Sequence, residues 1–215
     1  MSRSRSSLVV EHLGRVSYAT AWRRQEALRE ARIEGRVPDT LLLLEHPDVI
    51  TFGRGARPGT ARMDEAALRA RGYEVFRVNR GGDVTWHGPG QLVGYPILDL
   101  QARGRDVHVY LRTLEGLLIS VLAEFGIPAL RRAGYTGVWL DAQRKIASIG
   151  VGIRHWVTLH GFALNVSPDL ERFSVIVPCG LEDVKMTSMR EVVGDVEMPQ
   201  VEARVEAAFR RAFDD

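Results

Sequence analysis

The chain has 215 residues, 45% hydrophobic and 26% charged, with a formal net charge of +2 and a sequence pI of about 8.9. That length suits one sizeable core, so a single domain over 1–215 is expected. The even charge balance argues against a nucleic-acid binder, which needs a basic patch with stacking aromatics, and no stretch approaches the roughly 18 apolar residues of a membrane span.

In chain order, "MSRSRSSLVVEHLG" has only residues 8–10 as an apolar run, too short for a signal-peptide core. A short disordered tail is expected there, assigned to residues 1–7. Residues 17–34 carry Tyr18, Ala21, Trp22, Leu28 and Ala31 at helical spacing, closed by Gly35. "DTLLLLEHPDVITFGR" (39–54) reads as a strand, a turn at His46, Pro47 and Asp48, and a second strand. A short helix at 63–71 ends at Gly72, and "YEVFRVN" (73–79) alternates as a strand. A long helix follows Asp106, its N-cap, and stops at Gly126. Strands are expected at 136–140, 145–153 and 157–166, and a last helix opens at Pro199 with Val201, Val205, Phe209 and Phe213 on one side. The mixture lacks a regular βαβ alternation. It predicts an α+β fold, a mixed sheet with flanking helices.

Three segments carry chemistry. "RGGDVTWHGPGQLVGYP" (80–96) packs five glycines among Arg80, Asp83, Thr85, His87 and Gln91, which lets backbone approach a ligand closely or simply makes a tight connection. It is not a phosphate loop, and the "GRG" at 53–55 is too short to signal anything by itself. In "RKIASIGVGIRHWVTLHGFALNV" (144–166), Lys145 opens an apolar strand and would share a face with Ala147, Ile149 and Val151. A lysine at a strand edge is commonly a solvated gatekeeper. Gly150 and Gly152, however, mark close approach by a ligand or another backbone, and a lysine in such a partly desolvated place can exchange protons. Of the 29 basic residues only Lys145 and Lys185 are lysines; arginine cannot replace lysine as a proton acceptor.

The third segment is "VIVPCGLEDV" (175–184), with the only cysteine. A lone thiol forms neither an intramolecular disulfide nor a multi-thiolate metal site, and fits a reducing cytoplasm. It is either a buried small hydrophobe or a nucleophile. The Val-Ile-Val run suggests a strand ending with the thiol at its exposed tip, and "LEDVKMTSMREVV" a helix start beyond it, surroundings that favour thiolate.

"RGGDVTWHGPGQLVGYP", "KIASIG", "HGFALNV" and "PCGL" followed by "MTSM" together resemble the lipoyl(octanoyl) transferases of lipoate biosynthesis, over about residues 40–190. The resemblance implies a fold related to the catalytic domain of biotin and lipoate protein ligases. It implies transfer of octanoyl from octanoyl-acyl carrier protein to a lysine of lipoyl-bearing domains, those of 2-oxoacid dehydrogenase complexes and the glycine-cleavage carrier protein. On that basis Cys179 is the acyl-accepting nucleophile and Lys145 its partner. Arg80, Gly81, Gly82, Asp83, Val84, Thr85, Trp86, His87, Ser148, Ile149, Gly150, Gly161, Phe162 and Ala163 match substrate-binding segments. Trp86 stands where the family often has tyrosine or phenylalanine and so bears on the fit of the acyl chain; Leu181 stands where isoleucine is common. No cofactor or metal is implied, because a thioester is already activated. Nucleic acid and membrane are not expected partners, and a cytoplasmic location is expected. The alternatives are an ATP-dependent ligase of the same fold, a Cys-His hydrolase using His87 or His160, and a non-catalytic arginine-rich binding module.

Overall fold

The computed structural model describes residues 7–177 and 183–214. Their elements follow as β1 (Val9–Arg15), α1 (Tyr18–Ile33), β2 (Thr40–Glu45), β3 (Val49–Phe52), α2 (Glu65–Ala70), β4 (Glu74–Arg77), β5 (Val84–His87), β6 (Gln91–Ile97), α3 (Val107–Glu124), β7 (Val138–Trp139), β8 (Arg144–Arg154), β9 (Val157–Asn165), β10 (Lys185–Met186), α4 (Met189–Val193) and α5 (Met198–Phe213). The larger, seven-stranded sheet has the order β1-β2-β6-β9-β8-β10 with β7 beside β8; a three-stranded sheet has the order β4-β3-β5. Parallel pairs (β1–β2, β8–β10, β3–β4) and antiparallel pairs coexist, so the sheets are mixed as expected.

The run of leucines in β2 explains how the layers assemble. Successive strand residues point to opposite faces. Leu41 and Leu43 therefore pack with Leu92, Phe162 and Leu164 against α3 and α5. Leu42 and Leu44 pack with Val93, Tyr95 and Ala163 against α1. A strand covered on both faces needs apolar residues throughout, which is why β2 reads as an unbroken run. Each fully buried leucine contributes about 1.5–3 kcal/mol.

The helix ends follow local chemistry. Ser17 Oγ accepts from Thr20 N at the start of α1, and Gly35, with φ +73°, follows its end. Asp106 Oδ1 accepts from the amides of His108 and Val109 at the start of α3. Helix α5 has Pro199 in its first turn and buries Val201, Val205, Phe209 and Phe213, as its spacing predicts.

The chain is ordered directly beyond the tail assigned to residues 1–7: β1 adds a parallel edge strand to β2, and the buried Leu8 donates its amide to Asp214. Backbone pairing at an edge leaves little side-chain pattern to read. Residues 1–6 lie outside the described residues. The glycine-rich 80–96 segment contains two strands, β5 and β6. Gly94 sits inside β6 because a methyl there would lie 2.1 Å from the ring of Phe162 on β9. Residues 39–54 form the expected strand, turn and second strand, with β2 entering the larger sheet and β3 the smaller. Finally, Val175 ends a 3-10 turn (Leu170–Val175) and Ile176 makes only an isolated bridge to Ala61, so the Val-Ile-Val run is not a strand. Its β-branched side chains at 175 and 176 fill the core under the small sheet, beside Trp86 and Phe173.

Candidate active site

Where the two sheets face each other a cavity of about 730 Å³ opens, within the roughly 300–1,000 Å³ usual for small-molecule sites. Val84, Thr85 and His87 of β5 line it from the small sheet. Tyr95, Lys145, Ser148, Ile149, Gly150, Gly161, Phe162 and Ala163 line it from β6, β8 and β9.

Lys145 is only 3% exposed, so it is not a solvated gatekeeper. The β7–β8 register runs from Val138↔Ala147 to Trp139↔Lys145, leaving Ile146 as an extra residue. Such a bulge re-aims the side chains before it. Lys145 therefore lines the cavity together with Ser148 and Gly150, while Ala147 and Val151 pack in the core, a correction to the simple alternation. Its Nζ stands 5.2 Å from the centroid of the Trp139 ring, a cation–π arrangement. Space for its stem comes from Gly137, whose φ is +127°. Gly137 N donates to Oε1 of the fully buried Glu115 (3.0 Å), which also pairs with Arg112 and Arg131.

The glycines serve backbone approach. Gly81 N donates to Val151 O at 2.8 Å, and a methyl at Gly150 would lie 3.0 Å from Gly81 O. On the other side Gly53, Arg54 and Gly55 donate to the carbonyls of Asp83, Arg80 and Gly82. The "GRG" at 53–55, uninformative by itself, is thus half of a two-piece glycine packing; only the contact across the fold reveals it. Arg80 is nearly buried and donates through Nη2 to Thr51 O (2.7 Å) and Thr51 Oγ1 (2.9 Å).

A buried hydrogen-bond chain joins the two walls. Asn165 Nδ2 donates to Thr187 O (2.9 Å), so its Oδ1 accepts from Gln91 Nε2 (2.9 Å). Gln91 Oε1 then accepts from His87 Nδ1–H at 2.7 Å, leaving Nε2 as the acceptor nitrogen of that imidazole. Thr187 N donates to Lys145 O, closing the chain at the lysine. Burial, reinforced by His46, lowers His87 to about 3; burial and then the Arg80 charge lower His160 to about 3. Both are neutral imidazoles. His160 also has φ +59° and its amide donates to Gln25 Oε1.

Among the expected site residues, Gly81 and Trp86 do not line the cavity. Trp86 is fully buried, its Nε1 donating to Asp48 Oδ1 and its ring edge-on to Phe173 under Gly88. Cys179 lies outside the described residues. Sequence reasoning missed Tyr18, Arg57, Thr60, Tyr135 and Phe173, which reach the cavity from distant elements. Among the described residues no group of three or more His, Cys, Asp or Glu could hold a metal ion, and no helix is long and apolar enough to cross a membrane.

A buried amine and two neutral imidazoles around a glycine-backed cavity make an enzyme site. The fold is that of lipoate and biotin protein ligases. Lipoate-protein ligase A bound with ATP superposes with a TM-score of 0.70 at 18% identity, covering 96% of this chain and 85% of that one. Biotin protein ligase from Aquifex aeolicus in complex with biotin and ATP gives 0.57 at 16% identity, covering 96% and 69%. The octanoyltransferase of Gloeobacter violaceus is 51% identical over 93% of this chain and 87% of its own length. The chain belongs to the lipoyl protein ligase A/B catalytic domain family, which matches residues 17–210, and within it to the octanoyltransferases; it is an acyltransferase.

Proposed function

We propose that the whole chain acts in the cytoplasm as one catalytic domain that moves octanoyl from octanoyl-acyl carrier protein to a lysine of lipoyl-bearing domains through a Cys179 thioester. The observation that carries this reading is the convergence of chain on the buried Lys145. Val177 and Met186, on either side of the stretch with Cys179, both line the cavity, and Met186 pairs with Lys145 across β10–β8.

The chemistry balances in two steps. The Cys179 thiolate attacks the octanoyl carbonyl, and the carrier thiol leaves with a proton from Lys145. The acceptor amine then attacks the enzyme thioester, Lys145 takes the amine proton, and Cys179 departs as thiolate. Backbone N–H groups of the glycine segments are candidate donors to the developing oxyanion.

Intact-mass measurement after incubation with octanoyl-acyl carrier protein tests this directly. An octanoyl adduct lost in Cys179→Ala supports it. Full transfer by that variant, or transfer that requires ATP, overturns it. Chain length provides a second check. Burying each methylene at roughly 0.8 kcal/mol corresponds to about fourfold per methylene, so activity should climb from butanoyl to octanoyl donors. A flat dependence would exclude an apolar acyl cavity.

A further inference from the structure

His87 keeps an unused acceptor nitrogen on the cavity wall, and the fold fixes that nitrogen from a distance. Its Nδ1–H is held by Gln91 Oε1 (2.7 Å), Gln91 Nε2 by Asn165 Oδ1, and Asn165 Nδ2 by the carbonyl of Thr187. A backbone carbonyl can only accept, so every link has one orientation and Nε2 is left without hydrogen. Nε2 has no hydrogen-bond partner among the described residues, and His87 lines the cavity, as do Tyr18 and Tyr95.

The neighbouring groups leave this nitrogen open. His46 gives its Nδ1–H to Val16 O (2.8 Å), so its Nε2 takes the hydroxyl hydrogen of Tyr95 (2.8 Å). The Tyr18 ring lies nearly parallel to that of His87, at 11° and 6.4 Å between centroids, and makes no hydrogen bond to it. His46, Arg80 and His160 are the ionisable groups that act on His87, and together with burial they hold its imidazole uncharged. A neutral acceptor near a buried arginine suits an uncharged N–H. A carboxylate in its place would favour an ammonium, which has no lone pair with which to attack.

An attacking primary amine has two hydrogens with different fates. One leaves with the base, and the other stays on nitrogen in the product amide. In the proposed reaction Lys145 takes the first. The second needs an acceptor that never removes it, and a neutral, weakly basic imidazole meets that need. Thr187 ties the two groups together: its N–H donates to Lys145 O, while its carbonyl starts the relay to His87.

We infer that His87 Nε2 holds the N–H that the acceptor lysine keeps, turning the amine lone pair toward the Cys179 thioester, and that Gln91 and Asn165 are positioning residues for it. This rests on the acyl-enzyme reading above and adds to it the residues that orient the acceptor. The C–N bond forms, the C–S bond breaks, the lost proton passes to Lys145, and His87 stays neutral throughout.

The test separates the half-reactions in single turnover: octanoyl-enzyme formation from octanoyl-acyl carrier protein, then transfer from the isolated octanoyl-enzyme to a lipoyl domain. In His87→Phe the rate of the second step, divided by that of the first, should fall at least about thirtyfold. Gln91→Glu still accepts from Nδ1–H, but its negative charge favours the imidazolium, whose Nε2–H cannot accept. The acid limb of its second step should therefore move up by about one pH unit or more relative to the parent, with no such move in the first step. Equal loss in both steps of His87→Phe would assign the residue to the donor's arm or to the fold, and an unshifted Gln91→Glu profile would deny it the acceptor role; either overturns the inference alone. Should His87→Phe not fold, the Gln91→Glu profile decides. A parent enzyme that forms no octanoyl-enzyme overturns the acyl-enzyme reading, and this inference with it.

Discussion

Gly137 and Lys145 occupy one space: a methyl group at Gly137 would lie 2.6 Å from Lys145 Cε and 2.7 Å from Ala147 O. The φ of +127° at Gly137 is also one that side chains rarely adopt. Gly137→Ala should therefore cost about 1–3 kcal/mol of stability and push Lys145 out of line, lowering transfer by about 10²-fold. Urea unfolding and steady-state transfer measure the two effects. A stable variant with full activity would mean the lysine does not depend on this seat.

The two lysines separate charge from proton transfer. Lys145→Arg keeps a cation but cannot give up its proton, so both acyl-enzyme formation and transfer to the acceptor should fall, the latter by about 10²-fold or more. Lys185 is exposed on β10, and Lys185→Arg should leave both rates nearly unchanged. The opposite pattern, with Lys145→Arg active and Lys185→Arg dead, would reassign the dyad.

Glu115 is a fully buried carboxylate with two arginine partners and the Gly137 amide. Glu115→Ala leaves those donors without an acceptor and should destabilise the protein by about 3–5 kcal/mol. Glu115→Gln can keep the Gly137 hydrogen bond and should cost less, while retaining more transfer activity. Equal Tm loss for both variants would show that the charge, and not the hydrogen bond to Gly137, is what matters.

The neutral histidines give a defined pH dependence. Free histidine ionises near 6.5, whereas burial holds His46 to about 4 and His87 and His160 to about 3. Between those values the unfolded chain binds protons that the folded chain does not. Stability is therefore full above about 6.5 and declines as pH falls, by about 2 kcal/mol per histidine at pH 5. Denaturant titrations at pH 7 and pH 5 measure the difference. A stability unchanged across that interval would show that these imidazoles are not held neutral.

Several elements are legible in the residue pattern alone. The 3.6-residue spacing of Val201, Val205, Phe209 and Phe213 marks α5, and Asp106 and Gly126 bracket α3, because caps and amphipathic faces are local. The resemblance that points to Cys179 and Lys145 likewise lies in short contiguous motifs. Non-local relations decided the rest. Strands β5 and β6 are hidden in the sequence because their glycines answer to neighbours across the fold or to bulky rings, Gly94 to Phe162 and Gly88 to the Trp86 ring. Lys145 reaches the cavity only because Ile146 is an extra residue against β7, and no alternation within β8 shows that. The chain from His87 through Gln91, Asn165 and Thr187 to Lys145 joins residues up to 74 positions apart in a single link. The sequence by itself determined the helices, the turn positions and the chemical groups present. The tertiary structure decided which of those groups share a cavity, because hydrogen bonds and side-chain contacts across the fold depend on sheet register and on backbone approach.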